Sequence, residues 1–194
     1  MILSPQLIWL HLPRTGGTTT VEAFRRAIAD LPESESCKWW IDDDRLRDKH
    51  DNLDIRHVRL GAPPLAQKIA MNFRPLDEWL HSNWKWAVAS GLNVDVNRYK
   101  NGEFFSLRVG KWLPADWWLD YFGVTDDFHL IRTTDLGVDL QGVMTKSGLT
   151  LQAPLPHLNG LGSSELEDAA PFRTECAQSL NPKWTHYQCK LWPL

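Results

Sequence analysis

Leu7-Ile8-Trp9-Leu10-His11-Leu12-Pro13-Arg14-Thr15-Gly16-Gly17-Thr18-Thr19-Thr20 is the stretch on which the fold turns. Its first half, Leu7 to Leu12, is an apolar run with the length and bulk of a buried strand. Pro13 ends the run, since it brings no N–H to a ladder. Arg14-Thr15-Gly16-Gly17 then reads as a turn, and the helix that follows carries a capping-box pattern at Thr19 and Glu22. A strand, a glycine turn and a helix N-terminus in succession gather backbone N–H groups around one point, and that point suits a phosphate. The glycines let the backbone close on an anion, the threonine hydroxyls add donors, and Arg14 adds a fixed positive charge. A turn that only joins strand to helix has no use for a basic residue and three successive threonines.

Outward from this stretch the elements alternate as in an α/β fold. A helix over Thr19–Leu31 sets Val21, Phe24, Ile28 and Leu31 on one face. Residues 32–53 are polar and irregular around Trp39-Trp40-Ile41, and a short strand is predicted over Asp54–Leu60. Lys68–Phe73 reads as a strand and Pro75–Ser90 as a helix, whereas residues 91–114 show no clear period. A short helix over Ala115–Phe122, a strand over Phe128–Arg132 and a helix over Thr134–Lys146 follow. Gln152–Gly162 is a Pro/Gly loop. The C-terminal remainder reads as helical, opening on a Ser164/Glu167 capping box and interrupted near Pro171 and Pro182. The expected architecture is a parallel sheet flanked by helices, with ligands at the carboxyl ends of the strands.

Bulk properties narrow the classes. At 194 residues and 43% hydrophobic, the chain can bury one sizeable core, so residues 1–194 are expected to form a single domain. A net charge of −3 and an isoelectric point near 6.1 imply no broad basic face, which argues against nucleic acid as a partner. Cys37, Cys176 and Cys189 are odd in number and lack metal-site spacing, so a reducing, cytoplasmic setting is expected and no metal site is assigned. The N-terminal apolar stretch has no basic leader and is too short to span a bilayer, so no membrane insertion is expected. Eleven tryptophans are many for this length. They read chiefly as core, with one or two left to line a cleft by stacking.

The kind of phosphate-binder can be narrowed further. An ATP-type P-loop requires a Lys after its last glycine, and none follows Gly17. His11-Leu12-Pro13-Arg14-Thr15-Gly16-Gly17-Thr18 instead resembles the 5′-phosphosulfate loop of sulfotransferases that use 3′-phosphoadenylyl sulfate (PAPS), His-hydrophobic-Pro-Lys-Thr-Gly-Gly-Thr, with Arg14 in place of Lys. Arg74 and Ser82, eight residues apart, are similar to the family's 3′-phosphate motif, Arg-Asp-Pro-Val-Asp-Arg-Leu-Val-Ser. Here the Pro falls one place early and Trp79 replaces the second Arg. Phe128–Leu136 is similar to a late family strand ending in Arg-Tyr-Glu-Asp-Leu, and Leu155-Pro156-His157-Leu158-Asn159 to its Pro-His-hydrophobic-Asn loop.

The resemblance implies the sulfotransferase version of the P-loop architecture and transfer of a sulfuryl group from PAPS, released as PAP, to an acceptor hydroxyl. It assigns the cofactor to Arg14, Thr15, Gly16, Gly17, Thr18, Thr19, Arg74 and Ser82. The acceptor is expected to be a carbohydrate, because the motifs are most similar to the glycan-directed branch; a small hydroxylated metabolite or a protein Tyr stays open. Such transfer needs a base, donors for the leaving phosphate oxygen, and in-line positioning. Arg14 is the partner for that oxygen, and its role is electrostatic because a guanidinium does not give up its proton. His57, in a segment similar to the family's Gly-His-hydrophobic segment with Arg56 for Gly, is the expected base; His50 and Asp42-Asp43-Asp44 stand in reserve. His11 reads as structural within its motif. The absence of an anchor segment points to a cytoplasmic enzyme of bacterial or viral origin, or to a catalytic domain of something longer. A catalytically silent PAPS/PAP-binding protein and, more remotely, a small-molecule kinase on the P-loop fold are the alternatives.

Overall fold

The structure, a computed structural model, describes residues 1–41, 68–152, 154–155, 172 and 175–193. In chain order the elements of the first half are β1 (Ile2–Leu3), β2 (Ile8–Leu10), α1 (Gly17–Ala29), α2 (Glu33–Ser36), β3 (Trp40–Ile41), β4 (Ile69–Phe73) and α3 (Leu76–Ala89). There follow α4 (Val96–Lys100), the hairpin β5 (Glu103–Ser106) and β6 (Lys111–Pro114), α5 (Asp116–Phe122), β7 (His129–Arg132), α6 (Leu136–Lys146), α7 (Glu175–Leu180) and α8 (Pro182–Leu191). They form two compact units: Met1–Phe73 with Phe122–Gly160, and Arg74–Tyr121 with Leu161–Leu194.

The first unit holds a five-stranded sheet of order β3-β1-β2-β4-β7. The expectation of a parallel sheet holds for one side of it only: β2, β4 and β7 are parallel, whereas β1 runs antiparallel to both β2 and β3. The reason is local. Four residues separate β1 from β2, too few for a parallel crossover, so the chain must fold back as a hairpin. Ser4 closes that turn: its hydroxyl accepts from the backbone N–H of Gln6 and Leu7, at 3.2 and 3.0 Å, and its own N–H donates to the Leu7 carbonyl at 2.8 Å.

Strand alternation decides which side chains meet the helices. Trp9, Ala70 and Ile131 bury against Val21, Ala23, Phe24 and Ala27 of α1 and Leu140, Val143 and Met144 of α6. The helical spacing of Val21, Phe24, Ile28 and Leu31 thus does face the core, with Ile28 and Leu31 half-buried at its edge. Fully burying a Phe or Val contributes about 1.5–3 kcal/mol, so α1 is held by this stripe rather than by propensity.

The start of α1 is a correction. The helix begins at Gly17 rather than Thr19, and its N-cap is Gly16 in the left-handed region, so Thr19 sits inside the first turn and the Thr19/Glu22 capping box does not form. Residues 91–114 also resolve into more than an irregular excursion, forming α4 and the β5–β6 hairpin.

In the second unit Trp79 of α3 packs on Trp184 of α8 (ring centroids 4.7 Å) and edge-on to Phe104 of β5 (5.3 Å). Two buried polar residues organise the C-terminal helices. The Asp116 carboxylate accepts from the N–H groups of Lys183 and Trp184, each at 2.8 Å, and so caps α8 from outside it. Asn181 accepts from Asp116 N–H at 2.9 Å and donates to the carbonyls of Gly102 and Ala177. Trp9, Trp79, Trp118 and Trp184 are buried, four of the eleven tryptophans, and the other seven are half-buried, so the content is core only in part. Cys37, Cys176 and Cys189 are exposed free thiols. Among the described residues no helix is long and apolar enough to cross a membrane.

Candidate functional site

The turn from β2 to α1 brings Arg14, Thr15, Gly16, Gly17, Thr18 and Thr19 into one short segment. His11 and Leu12 stay buried beyond the end of β2, and the Thr15 hydroxyl donates to the Leu12 carbonyl at 2.8 Å, closing the bend. Arg14 has φ 63° and Gly16 φ 74°. Arg14 is the one non-glycine with positive φ among the described residues. That conformation costs a side-chain-bearing residue about 1–2 kcal/mol, and strain of this kind concentrates at functional sites. Gly16, in the same region, avoids the cost for want of a Cβ.

Gly17 is required for a different reason. A Cβ built on it would lie 2.7 Å from His11 Cε1 and closer still to Nε2 and Cδ2. The His11 ring therefore lies over the first turn of α1, and it packs on the Trp9 ring at 5.3 Å. This is the structural role expected for His11.

A buried asparagine that the sequence reading passed over holds the turn. Asn72, on β4 and fully buried, donates from Nδ2 to the Thr15 carbonyl at 2.8 Å and to Thr20 Oγ1 at 2.7 Å; its Oδ1 accepts from Trp9 Nε1 at 3.0 Å. The Trp N–H can only donate and the Thr15 carbonyl can only accept, so the amide orientation is fixed by chemistry. Thr20 Oγ1 passes the link on to the Gly16 carbonyl at 3.3 Å. The signal was available in the sequence: an Asn inside Ile69-Ala70-Met71-Asn72-Phe73 is costly to bury without partners.

Electrostatically the turn favours an anion. The helix has no side-chain cap and no acidic residue in its first turn, so nothing within it offsets the positive N-terminal dipole. Arg14, Thr18 and Thr19 are half-buried there. At the carboxyl end of β7, Arg132 is committed elsewhere. It grips Asp139 through Nε and one terminal nitrogen, both at 2.9 Å, with Asp135 at 3.3 Å. The Arg132 hydrogen bond holds the Asp139 carboxyl below the usual carboxylate range.

Arg74 and Ser82 belong to the second unit. Arg74 follows β4 directly, its carbonyl accepts from Trp184 Nε1 at 3.0 Å, and the next turn is tied down where Leu76 N–H donates to Gln188 Oε1 at 2.8 Å. Burial lowers the Arg74 pKa from its ordinary value, against the opposing pull of Glu78, whose Oε2 is 4.0 Å from Nε. That buried Nε makes no hydrogen bond among the described residues. Ser82 is half-buried, one turn beyond Glu78 on α3. His57, His50, Asp42-Asp43-Asp44 and the Pro156–Asn159 loop lie outside the described residues. Comparison with protein-family models, curated proteins and solved structures finds no match to this chain.

Proposed function

We propose that the chain is a PAPS-dependent sulfotransferase of the P-loop-like sulfotransferase fold, acting in the cytoplasm on a carbohydrate hydroxyl. The observation that carries the reading is the β2–α1 turn: an uncapped helix N-terminus without first-turn acids, entered through a left-handed Gly16 and a strained Arg14. An anion seated there would answer the helix dipole, accept from first-turn N–H groups and pair with a guanidinium. PAPS, when bound, supplies an activated sulfuryl group whose departure leaves a phosphate as leaving group.

In this reading Arg14 stabilises the charge that grows on the 5′-phosphate and moves no proton. Thr15, whose hydroxyl is already committed to Leu12, contributes through its backbone, while Thr18 and Thr19 bring hydroxyls. Arg74 and Ser82 take the 3′-phosphate. A partly desolvated guanidinium whose Nε makes no hydrogen bond among the described residues, and has only Glu78 at 4.0 Å as a counter-charge, suits that role. His57 removes the acceptor proton.

The test is transfer of label from PAPS to a glycan panel. Wild type should transfer, and His57→Ala should lower turnover about 10²–10⁴-fold while keeping PAP affinity. Full activity in that variant would move the base to His50 or to Asp42–Asp44. PAP binding without transfer to any acceptor would favour the silent binder, the reading to which the Arg14 and Arg56 departures lend weight.

A further inference from the structure

Asn72 does more than fill a buried polar position. A trans peptide unit sets each carbonyl antiparallel to the N–H that follows it. The Thr15 carbonyl is drawn onto Asn72 Nδ2 at 2.8 Å, so the Gly16 N–H of the same peptide plane must point away from Asn72. The next peptide is held the same way: the Gly16 carbonyl accepts from Thr20 N at 3.1 Å and from Thr20 Oγ1, which is itself held by Asn72 at 2.7 Å. Gly17 N–H is thereby turned outward as well. Trp9 Nε1 fixes the far end of the amide, so the lever rests on β2 and cannot rotate.

We infer that Asn72 is a positioning residue for anion binding: it aims the Gly16 and Gly17 N–H donors at the anion through the Thr15 and Gly16 carbonyls. It touches no anion itself. The inference rests on the anion-binding reading of the turn, but not on the anion being PAP. Left-handed Gly16 can reach other φ/ψ regions at little cost, so without the amide the Thr15–Gly16 plane loses its tether and the Gly16–Gly17 plane keeps the Thr20 bonds without the support of Asn72. Preorganised donors bind better than donors that must first be ordered.

The experiment compares wild type with Asn72→Ala, Thr20→Val and a control, Val143→Ala, an apolar residue in the core cluster of the same unit that makes none of the turn's hydrogen bonds. Thr20→Val keeps shape and breaks only the relay, so it serves if Asn72→Ala folds poorly. PAP and, separately, inorganic pyrophosphate are titrated while the ¹⁵N–¹H signals of Gly16 and Gly17 are followed. Asn72→Ala should weaken PAP about tenfold, the scale of one misaimed charge-assisted donor, and Thr20→Val by a smaller factor. Both should shift the Gly16 amide before ligand is added, and Val143→Ala should do neither. PAP affinity unchanged in both variants would overturn the positioning role and leave the sulfotransferase reading standing. If wild type ignores PAP but pyrophosphate moves the Gly16 and Gly17 signals in an Asn72-dependent way, the donor assignment falls and the positioning role stands. Response to neither anion overturns both.

Discussion

Replacing Gly17 by Ala sets two effects of known sign against each other. Alanine in a helix gains up to about 1 kcal/mol over glycine. Against this, the new Cβ would lie 2.7 Å from His11 Cε1 and nearer still to two other ring atoms, inside any real carbon contact. His11 is 5% exposed and packed on Trp9, so its ring has little room to retreat. Forcing extra volume into a packed site costs about 1–3 kcal/mol, and a clash with three ring atoms belongs at the upper end. Gly17→Ala alone should therefore destabilise by about 2 kcal/mol, or about 1 M in urea midpoint for a slope near 2 kcal/mol/M. In a His11→Ala background the obstruction is gone, and the same substitution should be neutral or stabilising. The double-mutant cycle should report a coupling of about 2–3 kcal/mol, read from urea unfolding followed by far-UV circular dichroism. An equal loss in both backgrounds would refute the contact between His11 and the first turn of α1.

Other consequences follow from the same geometry. Asn72→Leu keeps the branched outline but orphans Trp9 Nε1 and the Thr15 carbonyl, and at about 1–3 kcal/mol for each buried group the unfolding midpoint should fall further than for Gly17→Ala; a shift within error would show that the amide network is dispensable. The Asp139 carboxyl titrates below its unfolded value, chiefly through the Arg132 hydrogen bond, so the pair's stabilisation is present above about pH 4 and lost as pH falls through the depressed value. Asp139→Asn should flatten that acid limb in urea midpoints taken across the acid range. Asp116 has the opposite sign: burial raises its pKa against the two capping N–H groups, so its contribution is largest at low pH and declines as pH rises from about 4 through the raised value. Removing the cap with Asp116→Ala should cost about 1–2 kcal/mol and loosen amide-exchange protection at Lys183 and Trp184 before the rest of α8.

Local signals carried most of the legible fold. The apolar run ending at Leu12, the glycine pair and the stripe on α1 are short-range, and the β2–turn–α1 unit follows from them. The helix start was misread because Thr19 and Glu22 satisfy a capping pattern that a left-handed Gly16, three residues earlier, makes unnecessary. Strand β1 is two residues long, below any reading of period, so the antiparallel edge was invisible. In the β5 hairpin strand, Phe104 and Ser106 are buried while Glu103 and Phe105 are half-buried, so hydropathy does not follow the side that faces inward. A buried Asn72 was legible as a residue in need of partners, but the partners were not: Asn72 lies 57 residues from Thr15 and Asp116 lies 68 from Trp184, and only the folded chain brings them together. Arg14, the threonines and the glycines of the turn could be named from sequence as candidate residues; the hydrogen bonds from Asn72 that hold the turn could not.

The measurement that bears most directly on the central claim is calorimetric titration of PAP and AMP, without added metal, into wild type and Arg14→Ala. If the turn receives the 5′-phosphate and Arg74 with Ser82 the 3′-phosphate, PAP should bind wild type much more tightly than AMP, which lacks the 3′-phosphate. Arg14→Ala should weaken both ligands, because both carry the 5′-phosphate. Equal affinity for PAP and AMP would contradict the assignment of Arg74 and Ser82. Unchanged affinity in Arg14→Ala, or no binding of PAP at all, would contradict the reading of the turn itself.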